Sequence, residues 1–514
     1  MDSDSILLQQ ICLRRGFDYE AMTADLLDYP DEALLENVER ASERIRQAMF
    51  RNQPLVIFGH DDPDGITSTY VLYRFLNALG YQRHHYYIPN RNREMHGIQK
   101  SIIDFIREGG YPLMITVDNG ISSVTGVEEL KALGCDVIIL DHHLIQPEQL
   151  PLAYAIVNPQ LPDCRYPFKS LAGVGVILMF VRYLSKAWQH PLPESYYFWV
   201  AVGSLADKVP MVGVNWKIVR YVIDNWELMH DPSIDFLLRN HSRINNQTDI
   251  FNFIQNTARL LANGRADGGK HLAMDFLFQM GDDKARLFEL LEAERTQWES
   301  ELYSVFRLMD SLTQDFEGDA FVYYDDENAI PYSLLGTAAS YVVTNIRVPT
   351  LMLKIHNGNM TCEGRCIDGF NVVEAFRWCK EYLIQYGGHA KAAGFTMNQD
   401  NYNQFIEAFH EYVAQNDPTL GQEPHCACDA RVGISELTPR MWNRLEELLP
   451  FGQKFAEPVI RITGVTANDL QPQWTLDTTG GSIPGNGLFD VCAIWKSPSM
   501  MKLTAVEKHR EQTE

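Results

Sequence analysis

The segment LVIFGHDDPDGITSTYVL, residues 55–72, sets His60, Asp61, Asp62 and Asp64 directly behind an apolar run. Two further apolar runs end the same way: MITVDNG delivers Asp118, and VIILDHH delivers Asp141, His142 and His143. A fourth polar point, Asp207, follows the apolar stretch that leads into ADKVP. Taken singly, an Asp behind a strand is most often a helix cap or a turn residue. Taken together, carboxylates gathered at one sheet edge repel one another and must take up protons or a cation. Oxygen and imidazole donors without cysteine suit Mn2+ or Mg2+ better than a thiolate zinc site. Six donors exceed what one open ion needs. They fit two ions about 3.5–4 Å apart, which activate a water and hold a phosphoryl oxygen. The chemistry to expect is metal-assisted phosphoester hydrolysis.

Such side chains need a frame. From residue 54 to about 160, short apolar runs (PLVIFG, HHYYIP, YPLMITVDNG, CDVIILDHH, YAIVNP) alternate with helix-like segments. That alternation predicts a parallel sheet covered on both faces, with its site outside the carboxyl ends of the strands. Residues 168–300 read as mostly helical, and SYYFWVAVG within them reads as a packed helix face rather than a stacking platform for bases. The run DKARLFELLEAERTQWESELYSVFRLMDSLT holds neither proline nor glycine and predicts one long helix over 283–315, able to bridge two domains. The class is therefore α/β. The predicted division is an N-terminal helical extension (1–53), a parallel-sheet catalytic domain (54–282), a long connecting helix (283–317), a second α/β domain (318–415), and a linker helix with a short β-containing C-terminal region (416–514).

Bulk composition narrows the classes. A chain of 514 residues, 46% hydrophobic, has room for about three domains with sizeable cores. No apolar run approaches the roughly 18–20 residues that span a bilayer. The N-terminus MDSDSILLQQICLRRGF is acidic where a signal peptide is basic, so a cytoplasmic protein with no membrane partner is expected. Nine cysteines without a CxxC pair argue for reduced thiols and against structural zinc. A net charge of −23 argues against a general nucleic-acid coat, though not against an enzyme with a local basic groove. Arg83, Arg91, Arg93, Arg259 and Arg265 are candidates to line such a groove.

HDDPDG, VDNG, DHH and ADKVP resemble the four ordered motifs of the DHH phosphoesterase superfamily. YGGHAKAAGF resembles the GGHA…AAG motif of its partner domain, DHHA1. Within the superfamily the resemblance is to the RecJ family of single-stranded-DNA exonucleases. IPNRNREMHGI is similar to that family's PNR…EGYGL, SLAGVGV to LCGAGV, and LADKVPMVGVN to IADVVPLTGEN. ARLLANGR resembles PRINAAGR, EGRCIDGFNV resembles SARSIDGFNL, and LLPFGQKFAEPV resembles LEPFGQGNPEPV. The likeness runs collinearly over residues 54–460.

The resemblance implies that His60, Asp62, Asp64, Asp118, His142 and Asp207 hold two Mn2+ ions, or Mg2+, with Asp118 bridging them. It implies that His143 faces the scissile phosphate and that Asp141 orients the histidines, a usual task beside metal ligands. Arg365, Gly387, Gly388 and His389 would hold phosphates from the second domain, and Arg259 and Arg265 would touch the strand. The implied activity is a two-metal, 5′-to-3′ exonuclease for single-stranded DNA in repair or recombination. A single-strand-binding protein or a helicase is the implied protein partner, and a monomer the implied working form. The alternatives are a phosphodiesterase for short oligonucleotides or cyclic dinucleotides, and a non-catalytic replication scaffold, against which the intact set of six ligands argues. Three departures stand out. His60 replaces an Asp common in the family, ANGR replaces AAGR, and Cys366 replaces a serine beside Arg365. The tail after FAEPVIRITGV is short for a five-stranded OB barrel, so a reduced OB-like region is expected.

Overall fold

The computed structural model describes all residues except 1–2, 91–93, 95–96, 146–149, 357, 368, 417–427, 471–473, 478–482, 484–486, 498 and 510–514; the side chains of 3–6 and 389 also lie outside it. Arg91 and Arg93 therefore fall outside the described residues. The chain forms two compact units, residues 1–295 with 427–514, and residues 296–426.

Five parallel strands organise the first unit: β1 (Leu55–Phe58), β2 (His84–Tyr87), β3 (Leu113–Val117), β4 (Asp136–Leu140) and β5 (Ala155–Val157). They stand in the order β2-β1-β3-β4-β5. The inner strands β1 and β3 are buried along their whole length, which is why they read as continuous apolar runs. Helices flank them. Pro63–Ala78 starts where Asp62 caps its first turn and Pro63 pre-sets the backbone. Ser195–Ala206, the SYYFWVAVG segment, is buried from Ser195 to Ser204, as a packed face requires.

The same core takes in both chain ends. Leu8, Ile11 and Ile45 from the first fifty residues join Val56, Ile115 and Val202, and so do Phe455, Ile460 and Leu503. The C-terminal strands are β13 (Ala430–Val432), β14 (Val459–Val465), β15 (Thr475–Asp477), β16 (Phe489–Ser497) and β17 (Met500–Lys508). They form one sheet in the order β13-β14-β16-β17-β15. The short tail reaches five strands because β13 is drawn from the segment before the Pro439–Leu445 helix. Arg15 ties the two ends together through Asp429 at 2.7 Å.

The long helix runs over Asp282–Thr313, and the division between the units falls inside it. The second unit holds a sheet of β8 (Phe321–Tyr324), β9 (Thr350–His356), β10 (Asn359–Arg365), β11 (Leu383–His389) and β12 (Ala392–Met397), in the order β11-β12-β10-β9-β8. Phe376, Phe405 and Phe409 pack with Leu351 and Leu353, while Leu335, Ala338 and Met309 pack with Met352. Neighbouring residues of β9 thus feed two separate cores, as strand alternation dictates. Among the described residues no helix is long and apolar enough to cross a membrane.

Candidate metal centre

Strand register brings the polar ends together. Phe58 pairs with Thr116, and Val117 pairs with Leu140, so β1, β3 and β4 finish at one edge. The strand order places β2 on one side of β1 and β3 on the other, which opens a crevice at that point. His60, Asp118 and the triplet Asp141–His143 all stand at its rim.

Local backbone aims each carboxylate. Asp62 Oδ1 accepts the Gly65 N–H at 2.9 Å, while its Oδ2 meets His60 Nδ1 at 2.8 Å. Asp118 sits in the left-handed region at φ 59°, which Asp tolerates better than most residues. Asp64 is buried, and both its oxygens accept backbone N–H groups at the start of the Gly173–Trp188 helix, from Gly173 at 2.7 Å and Val174 at 2.8 Å. That approach needs glycine: a Cβ on residue 173 would lie 2.5 Å from Asp118 Oδ1. Gly203 has the same role on the helix that ends at Asp207, since a Cβ there would lie 2.9 Å from Asp64 Oδ1.

Asp118 is shared. Its Oδ2 lies 3.8 Å from His60 Nδ1, and its Oδ1 lies 3.1 Å from His142 Nε2. Asp207 Oδ2 is 3.7 Å from the same His142 nitrogen. His60, Asp62 and Asp118 make one donor set, Asp64, His142 and Asp207 another, and Asp118, Asp141, His142 and His143 a third; the donor atoms within each set lie within 4.8 Å of one another.

Charge is poorly compensated there. Burial pushes the Asp118 carboxyl well above the ordinary range, and Asp64, Asp62, Asp141 and Asp207 push it further. Burial, then the charge of Asp207, raises Asp64 to about 7. Burial also raises Asp207, against the pull of His142. At His60 burial opposes protonation, but the hydrogen bond and charge of Asp62 outweigh it and raise the pKa.

The chemistry of the donors tests what belongs there. His142 Nδ1 donates to the Leu171 carbonyl at 3.0 Å, which turns Nε2 toward Asp118 and Asp207. That Nε2 is buried and has no hydrogen-bond partner, although two carboxylates face it. A buried polar atom without a hydrogen-bond partner is costly, and a cation between it and the carboxylates removes that cost. The donor set fits a hard divalent cation held by oxygen and imidazole.

Asp141 and His143 form the outer part. Asp141 is fully buried and accepts N–H groups from Ile121, His142 and His143. Burial opposes its ionisation, but the bond from His143 and the charges of both histidines bring its pKa below the ordinary value. His143 Nδ1 meets Asp141 Oδ1 at 2.7 Å, and that bond raises the imidazole pKa. The His143 side chain is 54% exposed, whereas Asp141 beside it is fully buried. Asn158 steadies it by donating to the His143 carbonyl at 3.0 Å.

The six expected donors thus meet at one crevice, with Asp141 and His143 beside them. Asp61 turns away. The proposed phosphate contacts are spread over both units. Arg259 is exposed and donates to Asn256 Oδ1, and Arg265 Nη1 donates to the carbonyls of Ala262 and Gly264. Arg365 closes β10 and donates to Glu363 Oε2 at 2.9 Å. Gly387 and Gly388 are exposed on the edge strand β11, and the His389 side chain lies outside the described residues. Residue-by-residue reading passed over Gly173 and Gly203, although SLAGVGV and GSLADKVP carry them, and it passed over His271, which has no motif around it.

With this geometry in place, the chain can be set beside known proteins. Residues 54–204 match the DHH family, N-terminal domain. More particularly, over 490 residues the chain is 30% identical to the single-stranded-DNA-specific exonuclease RecJ of Bacillus subtilis (strain 168), covering 90% of this chain and 59% of that protein. The chain thus spans less than two thirds of the length of that relative. RecJ of Escherichia coli (strain K12) is 29% identical over 461 residues, which are 83% of this chain and 77% of the relative. The crystal structure of RecJ in complex with Mn2+ from Thermus thermophilus matches with a TM-score of 0.74 at 21% identity, covering 99% of this chain and 76% of that one. At that identity the likeness establishes a common fold.

Proposed function

We propose that the protein is a metal-dependent exonuclease that hydrolyses the phosphodiester bonds of single-stranded DNA from the 5′ end. One observation carries the reading: a buried, shared Asp118 lies between His60 and His142, and His142 Nε2 faces Asp118 and Asp207 without a hydrogen-bond partner. His60, Asp62 and Asp118 would hold one cation, and Asp64, His142, Asp207 and Asp118 a second. Mn2+ is the leading candidate and Mg2+ the other, since the Thermus relative has been solved with each. Bound there, such a pair supplies an activated water and neutralises charge on the phosphoryl oxygens.

The chain's own residues do the rest. Asp141 fixes the His143 ring through Nδ1, so that Nε2 remains to meet the phosphate. The bond and charge of Asp141 raise the His143 pKa and so favour the protonated ring. As the P–O bond breaks, His143 delivers that proton to the leaving oxygen. Arg365, Gly387, Gly388 and His389 of the second unit, with Arg259 and Arg265 of the first, are proposed to grip phosphates. Glycine lets a backbone approach closely, and Arg365 can exchange Glu363 for a phosphate oxygen. The second unit is proposed as the DHHA1-like substrate domain and the C-terminal sheet as the reduced OB-like region. Repair or recombination in the cytoplasm, as a monomer recruited by a single-strand-binding protein or a helicase, completes the proposal.

End-labelled single-stranded DNA, duplex DNA, RNA and dinucleotides, each incubated with the Mn2+-loaded protein, test it. Progressive shortening of long single strands from the 5′ end is the expected result. Cleavage confined to dinucleotides would assign a short-oligonucleotide phosphodiesterase instead, and a Mn2+-loaded protein that cuts none of the four would assign a scaffold.

A further inference from the structure

Asp61 stands between two metal-ligand candidates and belongs to none of the donor sets. Its Oδ1 meets His271 Nε2 at 3.0 Å, with the histidine side chain 0% and the carboxylate 2% exposed. His271 Nδ1 accepts the Ala273 N–H at 3.0 Å, which leaves the ring proton on Nε2, toward Asp61. His271 closes a two-stranded hairpin, β6 (Ala266–Asp267) and β7 (Lys270–His271). The hairpin is itself anchored. Gly269 accepts the Ile88 N–H at 3.0 Å, and Ala266 accepts from Asn90 Nδ2 at 2.6 Å. Just before it, the Gly264 N–H donates to Glu294 at 2.9 Å.

We propose that Asp61 and His271 are a positioning pair for the first cation. Their bond ties the loop between β1 and the Pro63–Ala78 helix to this fixed hairpin. The backbone bends at Asp61 and Asp62, between the end of β1 and the first helical turn. Fixing Asp61 to the hairpin therefore fixes the bend from which His60 and Asp62 reach Asp118. Neither residue of the pair is a member of the three donor sets, and the pair acts through the neighbours of Asp61. The second donor set has independent supports. Asp64 is held by the Gly173 and Val174 N–H groups, and His142 by the Leu171 carbonyl. Loss of the pair should loosen one cation and spare the other. This inference rests on the proposed cation centre but not on the identity of the nucleic acid.

Mn2+ titration of the full-length protein by calorimetry tests it, with thermal melting as the folding control. His271→Ala, or His271→Phe where alanine costs folding, should weaken one Mn2+ binding event about 10–100-fold and leave the other at its wild-type affinity. His271→Gln places an amide N–H near the lost Nε2 and should recover most of that affinity. In cleavage assays the loss should appear at limiting Mn2+, be offset by excess Mn2+, and leave KM for DNA unchanged. A His271→Phe protein that binds both ions at wild-type affinity, whatever its melting temperature, would overturn the pair and leave the cation centre standing. A wild-type protein that binds no Mn2+ would overturn both. A wild-type protein that binds Mn2+ without cutting DNA overturns only the exonuclease reading, and the titration still decides the pair.

Discussion

Asp118 holds an ionisable group in a place that water cannot reach, in a left-handed backbone conformation, next to several like charges. Without a cation that arrangement is unfavourable, so the residue costs stability for the sake of the centre. Asp118→Asn keeps the shape and removes one buried charge. In metal-free buffer its melting temperature should equal or exceed that of the wild type, and added Mn2+ should stabilise only the wild type; calorimetric melts with and without Mn2+ check both. His143 gives the complementary case, because its ring is exposed and its partner is Asp141. His143→Ala should lower kcat about 10²–10⁴-fold while Mn2+ affinity is retained, as measured by single-turnover cleavage beside a Mn2+ titration. At this scale the donors were legible in the sequence, because metal chemistry restricts residue types sharply. Asp61 was legible only as out of phase. Its partner His271 lies 210 positions away, a distance that no local pattern crosses.

Elements position these side chains by close approach, and two predictions belong here. The Gly173–Trp188 helix reaches the centre because residue 173 has no side chain. Gly173→Ala drives a methyl into Asp118 and should abolish high-affinity Mn2+ binding. Gly175→Ala, whose Cβ meets nothing nearer than Leu171 Cδ2 at 3.3 Å, should be mild; Mn2+ affinities of the two variants make the comparison. The second prediction concerns pH. His84 on the edge strand β2 is buried between Tyr73 and Tyr81, with ring centroids 4.1 and 5.7 Å away. Burial lowers its pKa from 6.5 to about 4. The unfolded chain takes up this proton near pH 6.5 and the folded chain refuses it until about pH 4, so folding stability falls as pH drops through that window. The loss should reach about 2–3 kcal/mol. His84→Phe keeps an aromatic ring there and should flatten that part of the stability curve, followed by urea melts from pH 7 to 4. Strands β1 to β5 and the long helix were legible because uninterrupted apolar runs and a stretch free of proline and glycine have few other readings. Strand β13 was not, since three residues, Ala430–Val432, carry too little pattern to separate from a linker.

On the scale of the whole molecule, the chain is strongly acidic and yet is proposed to bind a polyanion. A net charge of −23 then requires that contacts be local, through a few arginines and backbone N–H groups. Arg365→Ala should raise KM for single-stranded DNA about tenfold with Mn2+ affinity unchanged, and should make the salt dependence of binding shallower by roughly one phosphate contact. The amphipathic stripes of the first fifty residues say that a face is buried but not against what, and the structure buries that face in the core that also takes Phe455 and Ile460. All of this turns on one carboxylate serving two cation sites. Counting Mn2+ ions bound per chain, by calorimetric titration of the wild type and of Asp118→Ala, tests that claim most directly. The account predicts two ions on the wild type and loss of high-affinity binding at both sites in the variant, with the fold retained; an Asp118→Ala protein that still binds two ions at wild-type affinity would contradict it.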